Sequence, residues 1–346
     1  MTRILAMLIA LAMLSACGDG GSSGNPISRS ATDDGTDDGT DDGTDDGTDD
    51  GTDDGTEDTD PGEIALEDVT RITLEGDTLL VEGLSLDGGA PVTAYARRAD
   101  LDQNGFLAYV IQDDPLDRYS RAYSAADNNS GSVRGSVVAT GGQFNKIFNG
   151  VFVARDGDYD PPEATETTGL VSYAGGYVGI MNIFGPTPDL IPIDPDTPIE
   201  VVPGGVVLTT TGEVFINADF ADNIVNGTVY DRVIVETGDD LPSLVLAPTD
   251  ISENGEFSGT VEYSEVQPVY STEDVGNGSP GTYEGVFGGP DAEAVAGGLV
   301  LNNNDGQADV LGFEDELEVG TFVLDKCGTA GATDPICDQT NPDFSR

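Results

Sequence analysis

From Glu63 to Leu324 short runs of Val, Ile, Thr, Tyr and Phe alternate with clusters of Gly, Asn, Asp and Pro, and in the clearest run apolar residues recur at every second position. A period of two puts successive side chains on opposite faces of an extended strand. No stretch keeps an apolar stripe at helical spacing for three turns. The clearest case is Gly212–Phe220, where Val214, Ile216, Ala218 and Phe220 share one face and Phe215, Asn217 and Asp219 the other. Asp222-Asn223 tolerate positive φ, and Ile224–Val235 returns as the second strand of a hairpin. Strands are also predicted over Ile72–Leu80, Phe106–Ile111, Ser132–Ala139, Ile147–Ala154, Gly169–Ile183, Phe257–Tyr263, Thr282–Phe287, Gly297–Leu301 and Gly320–Leu324. Many hairpin strands without helices predict an all-β fold, an antiparallel barrel or sandwich that hides its edges by closure or doubling.

Two joints interrupt the pattern. Tyr159-Asp160-Pro161-Pro162-Glu163 divides a first β domain (63–162) from a second (163–325). Within the second, the segment Gly185–Gly205 holds six prolines, at 186, 188, 192, 195, 198 and 203. Proline lacks the donor a central strand needs, so this is a long loop. Two roles fit it equally: carrying a binding surface, or packing over a barrel end.

Upstream the pattern changes kind. Arg3 is followed by eleven apolar residues, Ile4–Leu14, too few for a membrane-spanning helix and suited to a secretory signal. Leu14-Ser15-Ala16-Cys17 resembles the lipobox of bacterial lipoproteins. The expectation is a signal peptide over 1–16 and lipid attachment at Cys17, with enough acyl chains for stable anchoring. Gly18, not Asp, follows the cysteine, which favours the outer membrane. The alternative is an ordinary signal with an incidental cysteine.

Residues 17–62 then form a tether. Thr-Asp-Asp-Gly repeats six times from Thr32 to Gly55, and Thr32–Asp60 carries fifteen acidic residues, no basic one and no large apolar side chain. Such a segment cannot bury enough surface to offset its ordering entropy and is expected to be disordered. Its random-coil span is roughly 35–40 Å and its contour about 150 Å. A four-residue period supplies no calcium cage, so loose counter-ion condensation is the expectation there.

The whole chain has a formal charge of −52. One of the 65 acidic residues precedes Thr32 and fifteen lie in the tether, leaving 49; Arg3 and Arg29 are outside the folded part, leaving 11 of 13 basic residues there, or about −38. Nucleic acid is excluded as a partner, since phosphate binding needs the opposite sign. The acidity reads either as a surface tuned for a cationic ligand or as the background of a marine or salt-tolerant organism.

The chain contains no histidine. That removes Ser-His-Asp and Cys-His catalysis, His-ligated metals and the usual proton shuttle. There is no phosphate loop or dinucleotide fingerprint in a strand-to-helix context. Paired carboxylates could serve a glycosidase, but among 65 acids no pair stands out, and the expectation is a protein that is not an enzyme. Cys327 and Cys337 in the tail (326–346) read as a disulfide; two thiols without histidine make a poor zinc site. Asp100-Leu-Asp-Gln-Asn-Gly105 opens like an EF-hand loop, making Asp100, Asp102 and Asn104 calcium candidates. Its twelfth position is Ile111, not a bidentate Glu, so a β-turn is expected and no cofactor is assigned. Asn302–Gly306 is a turn by composition.

Gly285-Val-Phe-Gly-Gly-Pro-Asp-Ala-Glu-Ala-Val-Ala-Gly297 resembles the barrel signature of transferrin-binding-protein-B-like surface lipoproteins, a group with factor H-binding and haemoglobin-haptoglobin-binding relatives. Gly285, Phe287, Gly289, Pro290, Ala292, Glu293 and Gly297 occupy its positions. Gly169–Gly179 is similar to the opening strand of that barrel and Ala218–Gly227 to its Asp-Phe…Gly hairpin. By its own residues, Gly289-Pro290 ends a strand, Asp291–Val295 suits one helical turn, and Gly297-Gly298 allows a tight return. The resemblance implies an eight-stranded antiparallel β-barrel preceded by a smaller β handle domain, with the signature residues structural. It carries over no ligand.

Together these features predict a lipid-anchored protein on the outer membrane, displayed at the cell surface or facing the periplasm. It would bind a protein or a nutrient solute through loops on its barrel. The alternative is a structural or adhesive envelope lipoprotein whose acidic surface is bridged by divalent cations.

Overall fold

The computed structural model describes residues 62–84, 91–144, 146–165, 169–185, 189–264, 279–302 and 316–340. The leader, Cys17, the acidic repeat, Pro186, Pro188 and the turn expected over 303–306 lie outside the described residues. Residues Thr56–Arg346 form one compact unit.

Two antiparallel sheets of eight strands make up this unit. The first contains β1 (Glu63–Glu67), β2 (Arg71–Glu75), β3 (Thr78–Glu82), β4 (Val92–Arg97), β5 (Leu107–Ile111), β6 (Ser120–Ala126), β7 (Val133–Thr140) and β8 (Asn149–Arg155). Its order is β1-β8-β7-β6-β5-β4-β3-β2, so that β1 and β2, adjacent in sequence, form its two edges. The second contains β9 (Leu170–Gly185), β10 (Val206–Asp219), β11 (Ile224–Ile234), β12 (Leu244–Asp250), β13 (Glu256–Tyr263), β14 (Gly281–Gly288), β15 (Ala294–Asn302) and β16 (Leu317–Lys326). Each of these pairs with the next, and β9 pairs with both β10 and β16, closing a barrel. The first sheet equals the barrel in strand number but is built from shorter strands.

Three large apolar cores follow from this arrangement, with a small fourth of Met181, Leu208, Ile234 and Leu241. Alternate residues of every barrel strand fill the lumen, among them Tyr173, Tyr177, Val214, Ile216, Ala218, Phe220, Phe257, Tyr283, Phe287 and Phe322. An eight-stranded barrel is just wide enough for side chains to fill it, and this one is packed. A second core joins the barrel's outer wall (Val178, Ile180, Val286, Ala296, Val319) to one face of the first sheet (Phe106, Tyr123, Val137, Val151, Val153). The opposite face of that sheet holds the third, with Leu79, Val81, Tyr95, Tyr109, Val138 and Phe152. The middle strands of the first sheet are therefore buried on both sides.

The predicted hairpin is present: Val214, Ile216, Ala218 and Phe220 all point into the lumen, and Asn223 sits at φ +53° in the turn. Ile72–Leu80 is not one strand. Gly76, at φ +61°, turns the chain between β2 and β3, which pair with each other. Strands β1, β4, β6 and β12 were not anticipated from the pattern.

Candidate functional site

The barrel's connections divide by length. At one end lie the short turns 220–223, 251–255 and 289–293; at the other, the longer connections after β9, β11, β13 and β15. The resemblance residues mark the short-turn end. Phe287 is fully buried and meets three rings, with centroids 5.5 Å away at Tyr173, 5.2 Å at Phe220 and 5.3 Å at Phe257. Gly285 and Gly297 leave room for this packing. A Cβ on Gly285 would lie 2.3 Å from the Phe257 ring, and one on Gly297 2.2 Å from the Phe322 ring. Gly297 and Gly298 therefore lie inside β15 and do not form a return turn. Pro290–Ala292 makes a short 3-10 turn with Asp291 and Ala292 at positive φ, and the chain is already in strand β15 by Ala294. The Ala292 carbonyl accepts the Tyr173 hydroxyl at 2.6 Å, and the Glu293 carbonyl accepts the Lys326 amide at 2.9 Å. Gly289 supports the turn at φ +76°. All seven residues are parts of the fold.

Cys327 and Cys337 form a disulfide. Asp100 pairs with Arg98 at 2.9 Å, and those hydrogen bonds hold its carboxyl at about 2. Asp102 pairs with Arg97 at 2.6 Å. Asn104 donates its amide to the Gly212 carbonyl at 2.6 Å and to that of Tyr177 at 3.3 Å, strapping the first sheet to the barrel. The structure thus sends these three side chains to separate partners. Among the described residues, no group of three or more Cys, Asp or Glu gathers into a metal-binding arrangement.

At the long-connection end, a polar group closes the lumen. Arg232 and Glu318 are 3% and 4% exposed and pair at 2.5 Å. Glu318 also accepts the Tyr177 hydroxyl at 2.6 Å and the Thr210 hydroxyl at 2.7 Å, and Arg232 donates to the Pro242 carbonyl at 2.6 Å. Burial, reinforced by the Glu318 carboxylate, pushes the Tyr177 phenol well up. A ligand entering the lumen would have to break this cluster. The site is outside.

That site is a groove of about 690 Å³ between the β7–β8 loop of the first sheet and the long-connection end of the barrel. Gly142 permits the approach, since a Cβ there would lie 2.1 Å from the Phe184 ring. Gln143 and Lys146 bridge to each other and throw Phe144 out at the tip, 67% exposed and at φ +53°. A bulky residue rarely adopts that region, and its ring has no burial to compensate. The proline segment supplies the far wall. Gly204 donates to the Gly142 carbonyl at 2.7 Å, Ile191 to Gln112 Oε1 at 2.9 Å, and Asp189 pairs with Arg98 at 3.1 Å. The loop is a strap tying barrel to first sheet, and its Glu200 and Val202 line the groove. At the start of β8 sits Asn149, 7% exposed, whose Oδ1 has no hydrogen-bond partner among the described residues. Lys146, one of two lysines in the chain, and Glu316 face the same space. Among the described residues, no Ser, Thr or Cys lines it. The arrangement offers two aromatic faces, amides and charges of both signs.

Sequence reasoning did not find this groove. One signal was present: Gly141-Gly142-Gln143-Phe144-Asn145-Lys146 puts an aromatic and a rare lysine into a polar turn.

No family model matches the chain, and no curated protein matches it in sequence. Three solved structures are similar to it over 77% of its length: transferrin binding protein B from Haemophilus parasuis Hp5 (13% identity, TM-score 0.42), intact Ap-TbpB with its N and C lobes (14%, 0.41), and transferrin binding protein B from serogroup B Neisseria meningitidis (14%, 0.37). The chain spans 45%, 46% and 43% of those proteins, less than half of each.

Proposed function

We propose that this is a non-enzymatic, lipid-anchored binding protein of the outer membrane that captures a protein or nutrient solute in the groove between its first sheet and the long-connection end of its barrel. The observation that carries the reading is Phe144, an aromatic held at positive φ and exposed at the lip of the groove. Backbone strain of this kind amounts to about 1–3 kcal/mol and concentrates at ligand clamps. A packed lumen leaves the outside of the barrel as the working surface. Ligand pockets typically occupy about 300–1,000 Å³ and combine apolar walls with a few polar groups, and this groove has that make-up. The lipobox-like Cys17 and the acidic tether would hold the folded part off the membrane.

The test compares full-length wild type with Phe144→Ser and Lys146→Glu in parallel captures from the organism's growth medium or host fluid. Both variants are expected to lose at least tenfold of whatever the wild type retains. Equal capture by all three chains would refute the groove as the site. Mass spectrometry of the mature protein tests the anchor, and protease treatment of whole cells tests display.

A further inference from the structure

The tail beyond β16 folds back along the barrel. Its first part is tied down, with Gly331 donating to Asn129 Oδ1 at 2.8 Å and Asn129 donating to Thr329 Oγ1 at 2.9 Å. The Cys327–Cys337 disulfide then brings round a short 3-10 turn, Pro335–Gln339, capped by Asp334, which accepts the Ile336 amide at 2.9 Å. This turn covers a cleft of about 560 Å³ on the barrel's outer wall. Glu213 of β10 faces outward into it, because its neighbour Val214 takes the lumen position. The groups around the Glu213 carboxyl come from three elements: Asp334 from the tail, Tyr230 and Asp231 from β11, and Asn104 from the first sheet. Strands β9 and β16 contribute Gly175, Gly176 and Val323 there, and the more distant Asp325 is already held by Asn128 and Asn129. Among the described residues, no lysine or arginine lines the cleft.

Asp334 is a hydrogen-bond partner of the Glu213 carboxyl, and both side chains line the cleft. With no described cation between them, the contact lasts while the Glu213 carboxyl keeps its proton and donates it to Asp334. Among the described residues, the other hydrogen bonds of 334–340 are internal to the turn. We propose that Glu213 is a proton-operated latch, whose carboxyl holds the disulfide-linked turn over the cleft through Asp334 while protonated and frees residues 333–340 when it ionises. This stands apart from the groove.

Burial first, then Asp334 and Asp231, push the Glu213 carboxyl up to about 7 in the closed form. Freed of the tail, it returns toward the ordinary value near 4.3. A group whose value is raised in the closed state supports closure fully below its free value, and that support is lost as pH rises through the closed value. Between the two, opening releases one proton, so the opening constant rises about tenfold per pH unit.

The experiment is amide hydrogen exchange on the full chain with its disulfide intact, read over 333–340 from pH 5 to 8 and corrected for intrinsic rates. Exchange there is expected to rise about 40-fold between pH 5 and pH 7, while β10–β15 amides keep their protection. Glu213→Gln, which replaces the titrating proton of Glu213 by a permanent donor, should make the profile flat and protected. Asp334→Asn supplies the same donor from the tail side and decides the matter if Glu213→Gln misfolds. A flat wild-type profile would overturn the latch, and so would a pH step that survives in the folded variants or that moves the barrel amides equally.

Discussion

The two ends of the barrel solve the same problem, closing a cylinder, with opposite chemistry. At the short-turn end, Tyr173, Phe220, Phe257 and Phe287 stack into an aromatic plug, and the Tyr173 hydroxyl finds the Ala292 carbonyl. The long-connection end is stoppered by an ion pair, Arg232–Glu318, with Tyr177 and Thr210 satisfying the carboxylate. Aromatic packing needs matching shape but no particular polar partner, whereas a buried ion pair depends on every partner staying in place. The first end can therefore be short and rigid. The second lies beside the groove, where chain length is spent on contacts to the first sheet.

Truncation should separate the two ends most sharply. Phe287→Ala removes the hub of the aromatic plug and is expected to destabilise by about 3–5 kcal/mol, measured as the loss in urea unfolding with the slope unchanged. Glu318→Ala strands the Arg232 guanidinium and should cost a similar 3–5 kcal/mol. The double replacement Arg232→Met with Glu318→Leu tells the mechanisms apart. It should recover most of that loss, because well-packed apolar side chains often match a buried pair, whereas no single partner change restores Phe287→Ala. If the double variant is no more stable than Glu318→Ala, the polar stopper is worth more than its apolar substitute and the contrast between the ends fails.

A smaller effect tests the space left for aromatics. Gly297→Ala puts a methyl about where the Phe322 ring now lies. Overpacking of this kind costs about 1–3 kcal/mol. Phe322→Leu on the same background should return part of it, by the non-additivity expected of residues in contact. Strict additivity in that double-mutant cycle would show that Gly297 is there for some other reason.

The same contrast explains what could be read from the chain. Val214, Ile216, Ala218 and Phe220 alternate cleanly because one face of β10 is filled by the lumen and the other is more open. Strand β6, Ser-Arg-Ala-Tyr-Ser-Ala-Ala, has few branched residues; one of its faces is covered by the barrel wall and the other by side chains of its own sheet, where small side chains suffice. Strand β12 was hidden by Pro248, which a ladder tolerates only at a bulge. The pairing of β11 with β12 shifts at that point, between Val225 and Gly227. Local spacing carries the barrel signature because its glycines and Phe287 lie within one hairpin. The groove had no such trace. It is assembled from 142–149, 182–184, 200–204, 302 and 316–317, pieces joined only by the docking of the first sheet on the barrel.

The smallest change in stability should accompany the largest change in function. Phe144 is exposed at the tip of the β7–β8 loop, and its side chain adds little to any core. Replacing it by glycine removes a side chain from a φ of +53°, a region glycine enters freely. It also enlarges the conformational freedom of the unfolded chain, which opposes the gain. The two contributions leave Phe144→Gly within about 1 kcal/mol of wild type, with no loss in melting temperature. Ligand capture, by contrast, should fall as far as it does in Phe144→Ser. A clear drop in stability would mean that the ring packs in a way its exposure does not suggest, and that the strain at the groove's lip serves the fold instead of the ligand.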